Sequence, residues 1–111
     1  MKTWKLLAFV ALILVALAGV SLAATPEEDW QRRTKEGWAA LEAGRPADAE
    51  RRMKEALALA ERHWTDQPRV AGSLSTLAQV YVFQKKFKDA EPLYRRADEI
   101  RLKSVGKELP R

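Results

Sequence analysis

His63, the hydroxyls of Ser73, Ser75 and Thr76, and 15 carboxylates are the side chains here that could do acid–base, nucleophilic or metal-ligating work. Their spacing assembles none of it. His63 is the only histidine and cysteine is absent, so no second imidazole or thiol can complete a zinc set. The three hydroxyls fall inside an apolar helical pattern, "GSLSTLAQVYVF", and not on the sharp strand-to-helix turn that presents a nucleophile. The acids alternate with Arg and Lys in "EED", "QRRTKE", "ERRMKE" and "YRRADEIRLK". Charges spaced this way form solvated helix faces with i,i+4 pairs. No Gly-rich loop is present to cradle phosphate, and no basic run interleaves with aromatics as a nucleic-acid surface requires. The reading is a non-enzyme with no cofactor, no metal and no nucleic-acid partner. What remains is recognition by large side chains.

The elements that must carry such recognition begin after residue 23. The chain has 111 residues, enough for one small domain. It opens with "MKTWK", continues through the uncharged "LLAFVALILVALAGV" and leaves through "SLAA". Ser21 and Ala23 stand in the −3 and −1 relation of a signal-peptidase site, which predicts cleavage after Ala23. The alternative is an uncleaved anchor: the uncharged run from Leu6 to Ala24 is 19 residues, at the lower end of what spans a bilayer. With Lys2 and Lys5 left behind, both readings put the rest of the chain outside the cytoplasm. Loss of residues 1–23 leaves 88 residues and lowers the net charge from +5 to +3.

Residues 24–111 read as four helices and no strand. Thr25 is an N-cap, Pro26 suits the first helical position and Glu28 completes a capping box, so the first helix runs to about Ala43 and stops at Gly44. Trp30, Thr34, Gly37, Trp38 and Leu41 form its stripe. The second runs from Pro46 through Trp64, with Met53, Ala56, Leu57, Ala60 and Trp64 on one face. "TDQP" breaks the chain, and Asp66 is placed to cap a third helix from about Pro68 to Gln84, with Leu74, Leu77, Ala78 and Tyr81 as its apolar stripe. A fourth runs from about Lys88 to Ser104 and ends at Gly106, with Pro92 in its first turn, where a missing donor is tolerated.

Shifted by 41 residues, the two halves superimpose. Gly37 falls on Ala78, Ala40 on Tyr81, Gly44 on Lys85 and Pro46 on Phe87. The triplet Asp48-Ala49-Glu50 recurs as Asp89-Ala90-Glu91, Met53 falls on Tyr94, and Ala56 on Ala97. Small residues recur where two helices must cross closely. One helix–turn–helix unit is used twice, over about 27–66 and about 67–107.

The second unit resembles a tetratricopeptide repeat, with Leu77, Ala78, Tyr81, Phe87, Ala90, Tyr94 and Ala97 at the family's pattern positions. "LAQVYVFQKKFKDAEPLYRRADEIR" is similar to the longer repeats of the kinesin light chain type, whose unit reads like "LA-LY--QGKY-EAEPLYKRALEI". In the first unit Arg33 replaces the usual first aromatic and Ala40 the Tyr. The resemblance implies an all-α fold of two repeats, four antiparallel helices in a short α-solenoid, behind the N-terminal segment.

It also implies a binding module whose inner surface is lined by the first helix of each unit. By position this places Gln31, Thr34, Trp38, Leu41 and Glu42 there from the first unit, and Gly72, Ser75, Gln79, Val82 and Phe83 from the second. Trp38 and Phe83 are then either groove anchors for a peptide or helix or members of the core. One branch of the family holds a partner's terminal carboxylate with Lys and Asn on this helix; Thr34, Trp38, Ser75 and Gln79 do not match it. Solenoids generally need three repeats or a cap, so the fourth helix is expected to leave a flank open, filled by a partner or a second copy unless two long repeats suffice. The expected function is an exported adaptor of a bacterium, periplasmic or secreted, that binds another protein. The alternative is a membrane-anchored structural component of an envelope complex.

Overall fold

A computed structural model describes residues 3–7, 10, 24–65 and 67–108. The domain is built of α1 (Pro26–Glu42), α2 (Pro46–His63), α3 (Pro68–Phe83) and α4 (Phe87–Glu108), with no strand among the described residues. Residues 11–23, on which the cleavage and anchor expectations both rest, lie outside the description, as does Asp66 with its expected cap. Among the described residues no helix is long and apolar enough to cross a membrane.

Local chemistry sets the helix ends. The Thr25 hydroxyl accepts from the Glu28 N–H at 3.2 Å, Pro26 opens the helix, and Glu27, Glu28 and Asp29 face the positive end of its dipole. At the other end Gly44 takes φ +76°. Its N–H reaches the Leu41 carbonyl at 3.1 Å, and the Arg45 N–H reaches Ala40 at 2.8 Å. This paired closure needs a left-handed residue just past the helix. The same closure recurs 41 residues later: Lys85 takes φ +61°, with Lys85 N–H to Val82 at 2.9 Å and Lys86 N–H to Tyr81 at 2.8 Å. The sequence register is therefore a backbone register. Only the residue differs, Gly in one copy and Lys in the other.

Two features of α4 correct the sequence reading. Gly106 does not end the helix, which continues to Glu108. Glycine stops a helix where the next turn demands positive φ, and Gly44 is the one described glycine that has it. Pro92 lies at the sixth position, beyond the first turn, and α4 continues through it. Its missing donor leaves the carbonyl of Lys88, an exposed residue, to solvent.

Helix α1 packs on α2, α2 on α3, and α3 on α4. One buried cluster joins Ala60, Val70, Ala71, Leu74, Ala97 and Ile100; a second joins Ala40, Ala49, Met53, Leu77 and Val80. Leu57 and Leu93 pack against both, so the core is continuous across the repeats. Ala49 and Ala90 are 0% and 2% exposed, as the crossing of two helices in each unit requires. At Gly37 an added Cβ would lie 2.7 Å from Met53 Cε, so the methionine fills the space that a side chain would take.

Burial separates the equivalent flanks. Val70, Leu74 and Leu77 of α3 are buried. Their counterparts 41 residues earlier are Asp29, Arg33 and Glu36, and these are charged and paired. Arg33 meets Glu55, and Glu36 meets Arg52, across the α1–α2 seam. The first unit departs from the pattern because, among the described residues, no helix packs on its leading seam, whereas that of the second unit packs on the first. The trailing flank of α4 is mixed. Phe87, Leu102 and Val105 are exposed there, interrupted by Asp98 and Arg101 at the positions where α2 carries Leu57 and Ala60.

The two left-handed positions make opposite predictions. Lys85→Gly should stabilise the domain by about 1 kcal/mol and Gly44→Ala should destabilise it by a similar amount, read from thermal melts followed by circular dichroism. Ala90→Arg, at the helix crossing, should lower stability by about 1–3 kcal/mol or more through overpacking.

Candidate protein-binding surface

Parallel alignment of α1 with α3 is fixed at their N-terminal ends. The Trp30 indole N–H donates to the Ser73 hydroxyl at 2.8 Å, and Ser73 is buried. The Trp30 ring meets Trp64 edge-on, with centroids 6.1 Å apart at 71°, and the Arg69 guanidinium lies 4.6 Å over Trp64. Arg69 Nε also reaches Glu27 at 2.6 Å. Edge contacts and cation–π contacts of this kind add modestly to the burial of the rings. The sequence reading placed Trp30 on the α1 stripe but missed the tie to Ser73. The signal was available: the two are 43 residues apart, close to the 41-residue period.

The parallel course of α1 and α3 gives each helix a stripe of the assigned residues. On α1, Gln31 and Glu42 are exposed, and the Gln31 amide donates to Glu27 at 3.1 Å. Thr34 is half-buried, its hydroxyl donated to the Trp30 carbonyl at 2.8 Å. Trp38 is half-buried against the cluster that holds Met53, Leu77 and Val80. On α3, Gln79 is exposed, while Ser75 is half-buried with a hydroxyl that has no partner among the described residues. Phe83 is 58% exposed and Val82 beside it 40%. The two aromatics therefore differ: Trp38 wedges against the core and Phe83 stands in water.

At the opposite end of the helices, carboxylates fix the turns. Glu50 lies between Lys54 at 3.0 Å and Lys86 at 3.3 Å, so it joins α2 to the α3–α4 turn. The Lys54 hydrogen bond lowers its pKa against the opposing effect of burial, and Lys86 adds to the lowering. Asp48 is lowered chiefly by its hydrogen bond to Arg51. At Asp29, partial burial pushes upward, but bonds to Arg32 and Arg33 together bring the pKa below its ordinary value.

His63 is exposed beside Trp64, and no group of acids or imidazole among the described residues could hold a metal. The open cleft between α1 and α2 is lined by Asp29, Arg33, Glu55, Ala58, Leu59 and Arg62. Three of its four charges are engaged with one another.

A family model described as tetratricopeptide repeat matches residues 33–103. The chain belongs to the tetratricopeptide-repeat family. No curated protein matches it. The match runs from Arg33 in α1 to Lys103 in α4 and takes in both units. Tetratricopeptide repeats generally mediate protein–protein interaction and are typically non-catalytic, which agrees with an arrangement of stripes and paired charges.

Acid should weaken the domain in a defined direction. Asp29, Asp48 and Glu50 have folded pKa values below their ordinary ones. The unfolded chain therefore binds more protons as pH falls through the carboxylate range, and stability rises with pH there. The contribution is complete above about pH 5 and is lost as pH falls through the lowered folded values. Urea midpoints measured across that range should fall with acid, and Glu50→Gln should flatten part of the slope.

Proposed function

We propose that this protein is an exported, non-catalytic adaptor that binds a protein or peptide partner across the α1 and α3 stripes, with repeats of the kinesin light chain type. Gln31, Thr34, Trp38, Glu42, Ser75, Gln79 and Phe83 are the residues assigned to that face. The observation that carries the reading is Phe83, a large aromatic 58% exposed on a helix with seven buried residues. Its backbone is held by a fixed closure at the helix end, so the ring is presented at little entropic cost. Trp38, packed on the Met53–Leu77–Val80 cluster, is the second aromatic of that face, and Gln79 and Gln31 supply polar contacts.

Export is the part of the proposal that rests on residues 1–23, with cleavage after Ala23 delivering the domain to the periplasm or medium of a bacterium. A retained span over residues 6–24 gives the second reading, a membrane-anchored component that holds an envelope complex. A second copy on the mixed flank of α4 is the other occupant that the solenoid admits. Mass measurement of the protein from its native host separates export from anchorage: a chain starting at Ala24 supports the first, an intact N-terminus the second.

Substitution distinguishes the roles of the two aromatics. Phe83→Ala should leave the melting curve within about 0.5 kcal/mol of the parent, as at other exposed positions. It should weaken capture of the partner from an envelope fraction by about 1–2 kcal/mol or more. Trp38→Ala should lower stability by about 2–3 kcal/mol, less than a fully buried tryptophan, through lost packing on the Met53–Leu77–Val80 cluster. Unchanged capture by a well-folded Phe83→Ala protein would remove Phe83 from the interface.

A further inference from the structure

The internal repeat provides a control for its own second copy, and one corner of that copy stands out. Shifted by 41, the α1–α2 corner reads Leu41, Glu42, Gly44, Pro46 and Ala47 where the α3–α4 corner reads Val82, Phe83, Lys85, Phe87 and Lys88. Both corners share one backbone, with the same paired closure and the same left-handed residue. Phe87 stands at a pattern position of the repeat, so the exchanges that the shared backbone does not impose are those at Phe83, Lys85 and Lys88. The second corner places two large aromatics in water, 58% and 60% exposed, and adds two cations between and beside them. Phe87 follows Phe83 across a three-residue turn, so Val82, Phe83 and Phe87 crowd one end of the domain.

Two further observations bear on these cations. Neither Lys85 nor Lys88 forms an ion pair among the described residues, whereas Lys86 between them is engaged by Glu50 at 3.3 Å and lies 5.8 Å from the Tyr81 ring. Lys85 also sits at φ +61°, where a side chain is disfavoured and where the first copy uses Gly44 at φ +76°. A residue kept in an unfavourable conformation, with a better residue demonstrated at the equivalent site, marks a position held for something other than stability.

We infer that the α3–α4 corner is a docking point for an acidic segment of a protein partner bearing an apolar or aromatic side chain, with Phe83 and Phe87 receiving the apolar group and Lys85 and Lys88 the carboxylates. The inference rests on the interaction reading above and gives that partner its chemistry. Charge complementarity selects the occupant: two ammonium groups without an ion pair among the described residues lie beside exposed rings, Glu50 at this corner is engaged by Lys54 and Lys86, and Asp89, next to Lys88 in sequence, belongs to the first turn of α4 and has its counterpart in Asp48. A purely apolar partner would use the rings and leave both cations unanswered.

The test uses the full chain in detergent, a library of random peptides displayed on phage, and vesicles of phosphatidylcholine with or without phosphatidylserine. Peptides selected by the parent should be enriched in Asp or Glu next to a large apolar residue, and their binding should weaken with added salt. Lys85→Gly with Lys88→Gln should weaken them about fivefold at low ionic strength. Lys85→Gly relieves the backbone while removing the charge, so weaker binding in a protein that melts no lower than the parent cannot be assigned to unfolding. Selected peptides with no acidic bias, dependent on Gln79 but indifferent to Lys85 and Lys88, overturn the inference and leave the interaction reading standing. Binding to phosphatidylserine vesicles without peptide selection overturns it in favour of a lipid surface. If no peptide or vesicle binds and Phe83→Ala leaves partner capture unchanged, both readings fall.

Discussion

The burial of α3 on two sides is the constraint from which the rest of this domain follows. An isolated helix–turn–helix unit has more apolar surface than it can cover by itself, and stacking is the remedy. Here α3 lies between α2 and α4, and seven of its residues are buried, including Val70, Leu74, Leu77 and Val80. Leu57 from the first unit and Leu93 from the second each reach both clusters, so neither unit keeps a core of its own. The exposed ion pairs that also link the units, Glu27–Arg69, Glu50–Lys86 and Glu61–Arg96, contribute little by comparison. They set register more than strength.

Much of this was legible in the residues because the repeat doubles every signal. Thr25 and Pro26 marked the start of α1, and the recurrence of Asp-Ala-Glu fixed a register that the backbone repeats down to its left-handed residues. Composition misled where one residue type serves two purposes. Gly44 ends a helix and Gly106 does not, because only the first is followed by a turn that needs positive φ. Pro92 read as a first-turn residue because α4 starts one position earlier, at Phe87, and because the helix tolerates the loss of one exposed bond. Arg33 looked like a decayed pattern position. In three dimensions it belongs to a partly exposed seam on which no described helix packs, a distinction that needs the neighbour's location and not the residue's identity.

The candidate site was half legible for a related reason. Helical periodicity assigns a residue to a stripe, but residues on equivalent stripes can differ in depth. Trp38 and Phe83 were equivalent candidates on paper, and packing against the Met53–Leu77–Val80 cluster distinguishes them. Local rules are broken in only a few places in this domain, and the clearest break, a lysine where glycine serves in the other copy, adjoins two exposed rings. Sequences that otherwise agree with their fold at every level tend to depart from it where function makes a demand.

An even number of antiparallel helices gives this domain a front and a back. Thr25 and the last turn of α4 share one end, with Trp30 and Trp64, while both helix-pair turns share the other. Seventeen residues of α1 separate the two ends by about 25 Å. The Phe83–Phe87 corner therefore stands a full helix length from Thr25, and a ligand seated there leaves the Trp30–Trp64 end of the domain uncovered.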